Sequence, residues 1–381
     1  MENISSRKYD YIFTGAGCAG LSLLMHLIHS GKFSDKKILL IDKSSKTDND
    51  RTWCFWETRP GLFESIVYKQ WDAVSFHADE VSRLLDIAPY RYKMIRGIDF
   101  YWYCFDIIKQ QGNIEILNAQ VESINSSQNS VAAGGETFYA DYIFNSILFD
   151  KPVLKKGEFY LQQHFKGWLI ETAMPVFDPA RATLMDFRVS QQHGTTFVYV
   201  LPVSATVAMV EYTLFTSQLL KPEQYDEGLR EYISRFIPSA YEVIERETGV
   251  IPMTNHSFTR YEGDVVNIGS AGGQTKPSSG YTFYFIQQHS RAITDSLILT
   301  GKPFIPPLHS RRFKYYDSVF LNVLATHKLR GKRVFADMFR SNKPKHIMEF
   351  LNNESSLATD LKIISSLPLF PFLKAGIQEI V

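Results

Sequence analysis

The stretch Tyr11-Ile12-Phe13-Thr14-Gly15-Ala16-Gly17-Cys18-Ala19-Gly20-Leu21 reads as a strand that turns sharply into a helix. Strand-type residues lead into Gly-x-Gly-x-x-Gly, and apolar residues at helical spacing (Leu21, Leu24, Leu27, Ile28) lead out. A second short strand, 37–41, then ends on Asp42, 22 residues after Gly20. Each part has a physical role in holding a dinucleotide. Gly15 allows the tight turn, Gly17 lets backbone approach a pyrophosphate, and Gly20 lets helix and strand pack closely. The helix N-terminus offers unpaired N–H groups and positive potential to phosphates. Asp42 can accept hydrogen bonds from a ribose hydroxyl, and its charge disfavours a 2′-phosphate there. A chance glycine-rich turn would leave Asp42 unexplained.

At 381 residues the chain is long enough for two or three structural units and a substantial core. The net charge of +1 gives the whole molecule no electrostatic reason to seek nucleic acid. The charge is unevenly spread: residues 301–346 carry 11 Lys/Arg against two Asp, a local +9. Such a stretch suits either anionic lipid headgroups or a solvated face. Cys18, Cys54 and Cys104 have neither metal-ligand spacing nor an even count, which points to a reducing compartment. The polar start of the chain lacks a signal-peptide pattern, and no apolar run is long enough to span a bilayer. These features lead us to expect a cytoplasmic protein whose membrane contact is peripheral. Aromatic residues make up 14% of the chain, enough either to fill core or to line a pocket for a large apolar ligand.

Beyond the β-α-β start, residues 97–110 read as a helix and 113–119, 120–124 and 141–147 as strands, with 126–135 as turn material. Strand patterns at 163–172, 183–189, 196–201 and 207–215 suggest a largely antiparallel sheet, followed by a helix over 222–236. A strand at 264–270 runs into Gly269-Ser270-Ala271-Gly272-Gly273, a second βα turn whose helix is 281–299. The remainder reads as helical. Two glycine-rich turns far apart in sequence fit one extended cofactor, with the ADP half on the first and the other half on the second. FAD is such a ligand. A dehydrogenase binding only NAD would not need the second turn.

Several motifs in order also resemble the FAD-dependent lycopene cyclase family, of the bacterial lycopene β-cyclase type. They are the N-terminal fingerprint 15–22, Asp50-Arg51-Thr52-Trp53-Cys54-Phe55-Trp56, Met185-Asp186-Phe187, Leu201-Pro202-Val203-Ser204, Val210-Glu211-Tyr212-Thr213 and Gly269–Tyr281. The last matches an Ala-Gly-Gly…Pro-x-x-Gly-Tyr signature and is the most specific. The resemblance implies a Rossmann-like FAD-binding domain of the flavin monooxygenase/reductase type with an inserted antiparallel-sheet substrate domain and a helical C-terminal region. The expected division assigns 1–65, 96–150 and 256–300 to FAD, 66–95 and 151–255 to substrate, and 301–381 to the helical region. It further implies a carotenoid substrate in the bilayer and cyclisation of linear ψ ends to β-ionone rings. Reduced FAD would be needed without net redox change, with NAD(P)H as an indirect reductant. The expected cofactor-binding set is Gly15, Ala16, Gly17, Ala19, Gly20, Asp42, Arg51, Gly269, Ser270, Gly272, Gly273 and Gly280. Two departures stand out. The family often has a second acid directly after the first, where this chain has Tyr212, so only Glu211 is carried over. Many flavin monooxygenases have Asp where this chain has Ser270, which favours the cyclase reading.

Cyclisation starts by protonating an alkene, a poor base, so the acid must be held where its proton has nowhere better to go. In a strand over 207–215, Glu211 shares a face with Met209 and Thr213. A carboxyl on an apolar face is desolvated and stays protonated to higher pH. Glu211 is therefore the expected catalytic residue, although pattern alone also allows a solvent-facing Glu. Phe100-Tyr101-Trp102-Tyr103 is either packed core or a cation-stabilising wall, and Lys276 either faces the flavin or solvent. The ten histidines show no metal spacing. A flavin monooxygenase or isoprenoid reductase, a non-catalytic carotenoid-binding flavoprotein and an NAD-binding sensor are the competing readings.

Overall fold

Strands that are apolar along their whole length belong to a sheet covered on both faces. In the computed structural model, which describes residues 8–379, the strands Ile114–Asn118, Ile38–Asp42, Lys8–Thr14, Glu136–Asn145 and Val265–Asn267 lie side by side in that order, all parallel. Ile12, Phe13, Leu39 and Leu40 are completely buried. One face packs against helices Cys18–Ser30 and Phe283–Thr300 through Leu24, Leu27, Ile293 and Leu297. The other is covered by a meander built on Val121, Val131 and Phe138. Part of the segment expected as turn, 126–135, is strand: Ser130–Ala133 pairs with Glu136–Asn145 and Val121–Asn125 because Val131 has a core position to fill.

The second sheet has seven strands, in the order Tyr241–Thr254, Tyr160–Thr172, Val207–Thr216, Thr195–Pro202, Arg181–Asp186, Ala73–Ala78 and Val81–Asp86. All pairings are antiparallel except 181–186 with 73–78. Along 207–216 the even-numbered residues Ala208, Val210, Tyr212 and Leu214 pack under helix Pro222–Phe236. The odd-numbered Met209 and Phe215 face the opposite side, toward the C-terminal helices. The edge strand 241–254 lies beyond hydrophobic periodicity, since Glu242, Glu245, Arg246, Glu247 and Thr248 break any apolar alternation. Charged side chains of this kind protect a sheet edge. A third, small sheet joins Thr52–Glu57, Arg91–Arg96 and Lys69–Trp71.

The C-terminal region is helical: Arg311–Ala325, Gly331–Ser341, Pro344–Leu351, Leu357–Ser365 and Leu369–Gln378. It docks on the second sheet through Phe339, stacked on Phe76 at 4.3 Å with rings 8° apart, and through Phe335 against Phe187. Among the described residues, no helix is long and apolar enough to cross a membrane. Because Phe339 is fully buried in this contact, Phe339→Ala should cost about 3–5 kcal/mol of stability, as deletion of a core ring does. Denaturant unfolding of the variant, read against the wild type, checks this.

Candidate active site

The first turn is closed by its own backbone. Gly15 has a φ of +96°, and a Cβ added at Gly20 would lie 2.1 Å from the Gly15 carbonyl oxygen. Gly17 is the N-cap of the following helix, and no side chain caps the N–H groups there. Asp42 turns toward this loop. Its Oδ2 accepts from the Ala16 N–H at 2.6 Å, its Oδ1 accepts from the Ser44 N–H at 2.7 Å, and Lys46 Nζ lies 3.4 Å away. The two glycine-rich turns meet: a Cβ at Gly269 would fall 2.7 Å from that of Ala19.

From this junction a cavity of about 360 Å³ runs toward the second sheet. Gly17, Ala19, Arg51, Gly269, Ser270 and Gly280 lie on its wall, and so does Glu211. Gly15, Ala16, Gly20 and Asp42 shape the turn from behind the wall, while Gly272 and Gly273 line a second cavity across the loop. Arg51 is exposed and lies 3.4 Å from Asp50. Lys276 faces neither solvent nor this cavity: it is buried, and its Nζ donates to Asp317 at 2.9 Å and Asn353 at 2.7 Å. Two buried polar atoms on the cavity wall, Gln163 Oε1 and Ser279 Oγ, have no hydrogen-bond partner among the described residues. Such atoms are rare in folded proteins and point to a ligand with complementary polar groups. With the uncapped helix start, they fit a flavin dinucleotide.

Glu211 projects from the cavity face of its strand, with Thr213 Oγ1 donating to its Oε1 at 2.8 Å. It is partly buried on the cavity wall, and burial first, then the charge of Glu247, push its pKa up to about 8. Tyr212, the position of the family's frequent second acid, faces the other way and packs against Gly228 of helix 222–236. The second carboxyl on the wall is instead Glu247, which pattern reading missed along with its strand. The rings beside Glu211 belong to Tyr92, Tyr199 and Tyr281. Their hydroxyls lie near one another, those of Tyr92 and Tyr281 without a well-aligned partner. Trp56 backs them, its ring 4.5 Å from that of Tyr281. Of the 100–103 aromatics, Phe100 and Tyr101 pack with Trp53 and Trp102 is 64% exposed, so that run chiefly fills core. Asp186 is also structural: it is fully buried and accepts from Arg188 and from the Tyr232 hydroxyl.

The raised pKa of Glu211 has a consequence for stability. Between its ordinary value of 4.5 and about 8, the folded chain holds a proton that the unfolded chain has lost. Stability contributed here is therefore full below the lower value and declines as pH rises through the upper one. Glu211→Gln should lessen this decline, which thermal unfolding across that pH range would measure; an unchanged slope would contradict the assignment.

The family model described as lycopene cyclase protein matches residues 10–376. The chain is 24% identical over 409 residues to the chloroplastic neoxanthin synthase of Solanum tuberosum, covering 95% of this chain and 78% of that one. It is 24% identical over 310 residues to a lycopene beta-cyclase of Pseudescherichia vulneris, covering 77% and 75%. Among solved structures, a flavoprotein/dehydrogenase from Cytophaga hutchinsonii aligns with a TM-score of 0.64 at 13% identity, over 98% of this chain and 99% of that one. That likeness carries the fold, which is of the flavin monooxygenase/reductase type anticipated from the sequence. With a family match spanning nearly its whole length, this chain belongs to the lycopene cyclase family.

Proposed function

We propose that the chain is a lycopene β-cyclase that converts the ψ ends of lycopene to β-ionone rings, through γ-carotene to β-carotene, as an isomerase. The observation that carries this reading is Glu211: a partly buried carboxyl whose pKa is pushed up to about 8, on a cavity that begins at both glycine-rich turns. The uncapped helix start at Gly17 would hold the pyrophosphate of FAD, and Gln163 and Ser279 would meet its ring system. Reduced FAD, when bound, supplies negative charge against the cationic intermediate, with NAD(P)H as its indirect source of electrons.

Glu211 delivers a proton to the terminal alkene. The neighbouring double bond attacks the resulting tertiary cation and closes the ring, and loss of a proton completes the isomer. Tyr92, Tyr199 and Tyr281 enclose the reacting end, keep water from quenching the cation and present π faces to it. In a lycopene-accumulating bacterial host the chain should yield cyclised pigment of unchanged mass. Glu211→Gln should keep its FAD and lose about 10²-fold or more of that activity, the contribution of a positioned general acid. Persistent lycopene with FAD-loaded wild-type protein would overturn the reading, and a product of altered mass would favour a monooxygenase or reductase.

The substrate's home is a bilayer, and the C-terminal helices support a peripheral contact with the cytoplasmic membrane. Helix Leu369–Gln378 buries Ala375 against Val319 and Val323, while Leu369, Phe370, Leu373 and Ile377 stay exposed, Phe370 by 79%. Leu357 and Leu361 of the preceding helix are exposed as well, with Lys362 and Lys374 nearby in sequence. Apolar side chains flanked by lysines suit an interfacial helix. Replacing Phe370 and Leu373 by Asp should reduce co-sedimentation with anionic liposomes; undiminished binding would remove this helix as the anchor.

A further inference from the structure

The floor of the cavity is a row of residues in register across four strands. Tyr199 pairs with Glu211, Glu211 with Gly167, and Gly167 with Glu247. Residues in register lie on one face of a sheet, so the two glutamates flank a bare glycine. With neighbouring strands about 4.8 Å apart, the Glu211 and Glu247 Cα atoms are about 10 Å apart. A Cβ at Gly167 would rise into the gap, 3.0 Å from Met209 Sδ and 3.6 Å from Glu211 Cβ. The glycine therefore lets Met209 and Glu211 pack close over the middle strand, and both carboxyls line the cavity on either side of it.

The two carboxyls are differently served. Glu247, 6% exposed, accepts from the Thr52 N–H at 2.8 Å on one oxygen and from the Thr52 hydroxyl at 2.6 Å on the other. Burial raises the pKa of Glu247, while the two Thr52 bonds and the positive charge of Arg51 pull it back down. Among the described residues, Glu211 has the single hydrogen-bond donor Thr213. Two carboxyls sharing one site do not both ionise readily, and the one with more donors keeps the charge. Glu247 is the anion and Glu211 the acid.

We propose that Glu247 is a second catalytic carboxylate, the base that takes the proton lost from the ring cation after Glu211 has started ring closure. This rests on the cyclase reading above. The Glu211 O–H bond breaks as a C–H bond forms at the terminal alkene, and the ring C–C bond forms from the neighbouring double bond. A C–H bond beside the new cation then breaks, its electron pair becomes the ring double bond, and its proton goes to Glu247. After the product leaves, Glu247 releases that proton to solvent and Glu211 takes one up, which restores both groups. Atoms and electrons balance without an oxidant.

The test is Glu247→Gln in the FAD-loaded, reduced enzyme supplied with lycopene in liposomes. Glutamine keeps both bonds to Thr52, since its carbonyl oxygen can accept the Thr52 N–H and its amide can donate to the hydroxyl. A purely structural role would thus survive the change. The expected result is normal FAD content, β-ring formation lowered by about 10²-fold or more, and residual product with its ring double bond displaced, because the cation loses a proton elsewhere. Glu247→Asp should recover part of the activity. Wild-type rate and wild-type product from Glu247→Gln would overturn the proposal while leaving the cyclase reading intact. Failure of the wild type to cyclise lycopene would overturn that reading itself. Should Glu247→Gln fail to fold, Glu247→Asp serves instead: lowered turnover and a displaced ring double bond with FAD retained support the proposal, and wild-type rate and product overturn it.

Discussion

The setting of one partly buried carboxyl is the feature to which the larger parts of this structure contribute. Burial raises the pKa of Glu211, so its proton stays in place to higher pH than on an exposed carboxyl. That setting combines a wide sheet behind the carboxyl, aromatic rings beside it and an open cavity in front. Each of the larger architectural pieces supplies one of these. The antiparallel sheet supplies the floor, Tyr92, Tyr199 and Tyr281 supply the sides, and the junction of the two glycine-rich turns supplies the front. The helix over 222–236 seals the far face of the sheet through its own Leu229 and Ile233.

The same arrangement shows how a strand can change its chemistry from one residue to the next. Along 207–216, Glu211 faces the cavity and Tyr212 the helix-covered side. An acid at position 212 would be buried beneath Leu229 and its neighbours, away from the cavity. The chain places its second carboxyl on the same face instead, two strands away. This is the spacing at which the pleat allows side chains to converge on a common space.

Much of the parallel sheet was legible in the sequence, because glycine spacing, a run of apolar residues and a terminal acid are local signals. That Glu211 shares a face with Met209 and Thr213 was legible from period-2 alternation, whereas whether that face met a cavity or solvent was left open by the pattern. Glu247 was not. Its strand is a charged sheet edge with no apolar alternation, and its partner in the site, Thr52, is 195 positions away in the chain. Lys276 was open between flavin and solvent, and its burial depends on Asp317 and Asn353, which only the folded C-terminal helices bring close. The rings that surround the acid come from three separate segments, so the local cluster at 100–103 was a poor guide to them. Local patterns reveal elements, and contacts across hundreds of residues reveal sites.

The Lys276 clamp also joins two parts of the molecule that touch different surroundings. Its residue lies a few positions beyond the second glycine-rich turn, and its partners belong to the helical layer that ends in the exposed leucines and Phe370. A buried ion pair of this kind is broken only at substantial cost. The glycine-rich turn and the helical layer thus share one buried charge, and a substitution that frees Lys276 would loosen both at once.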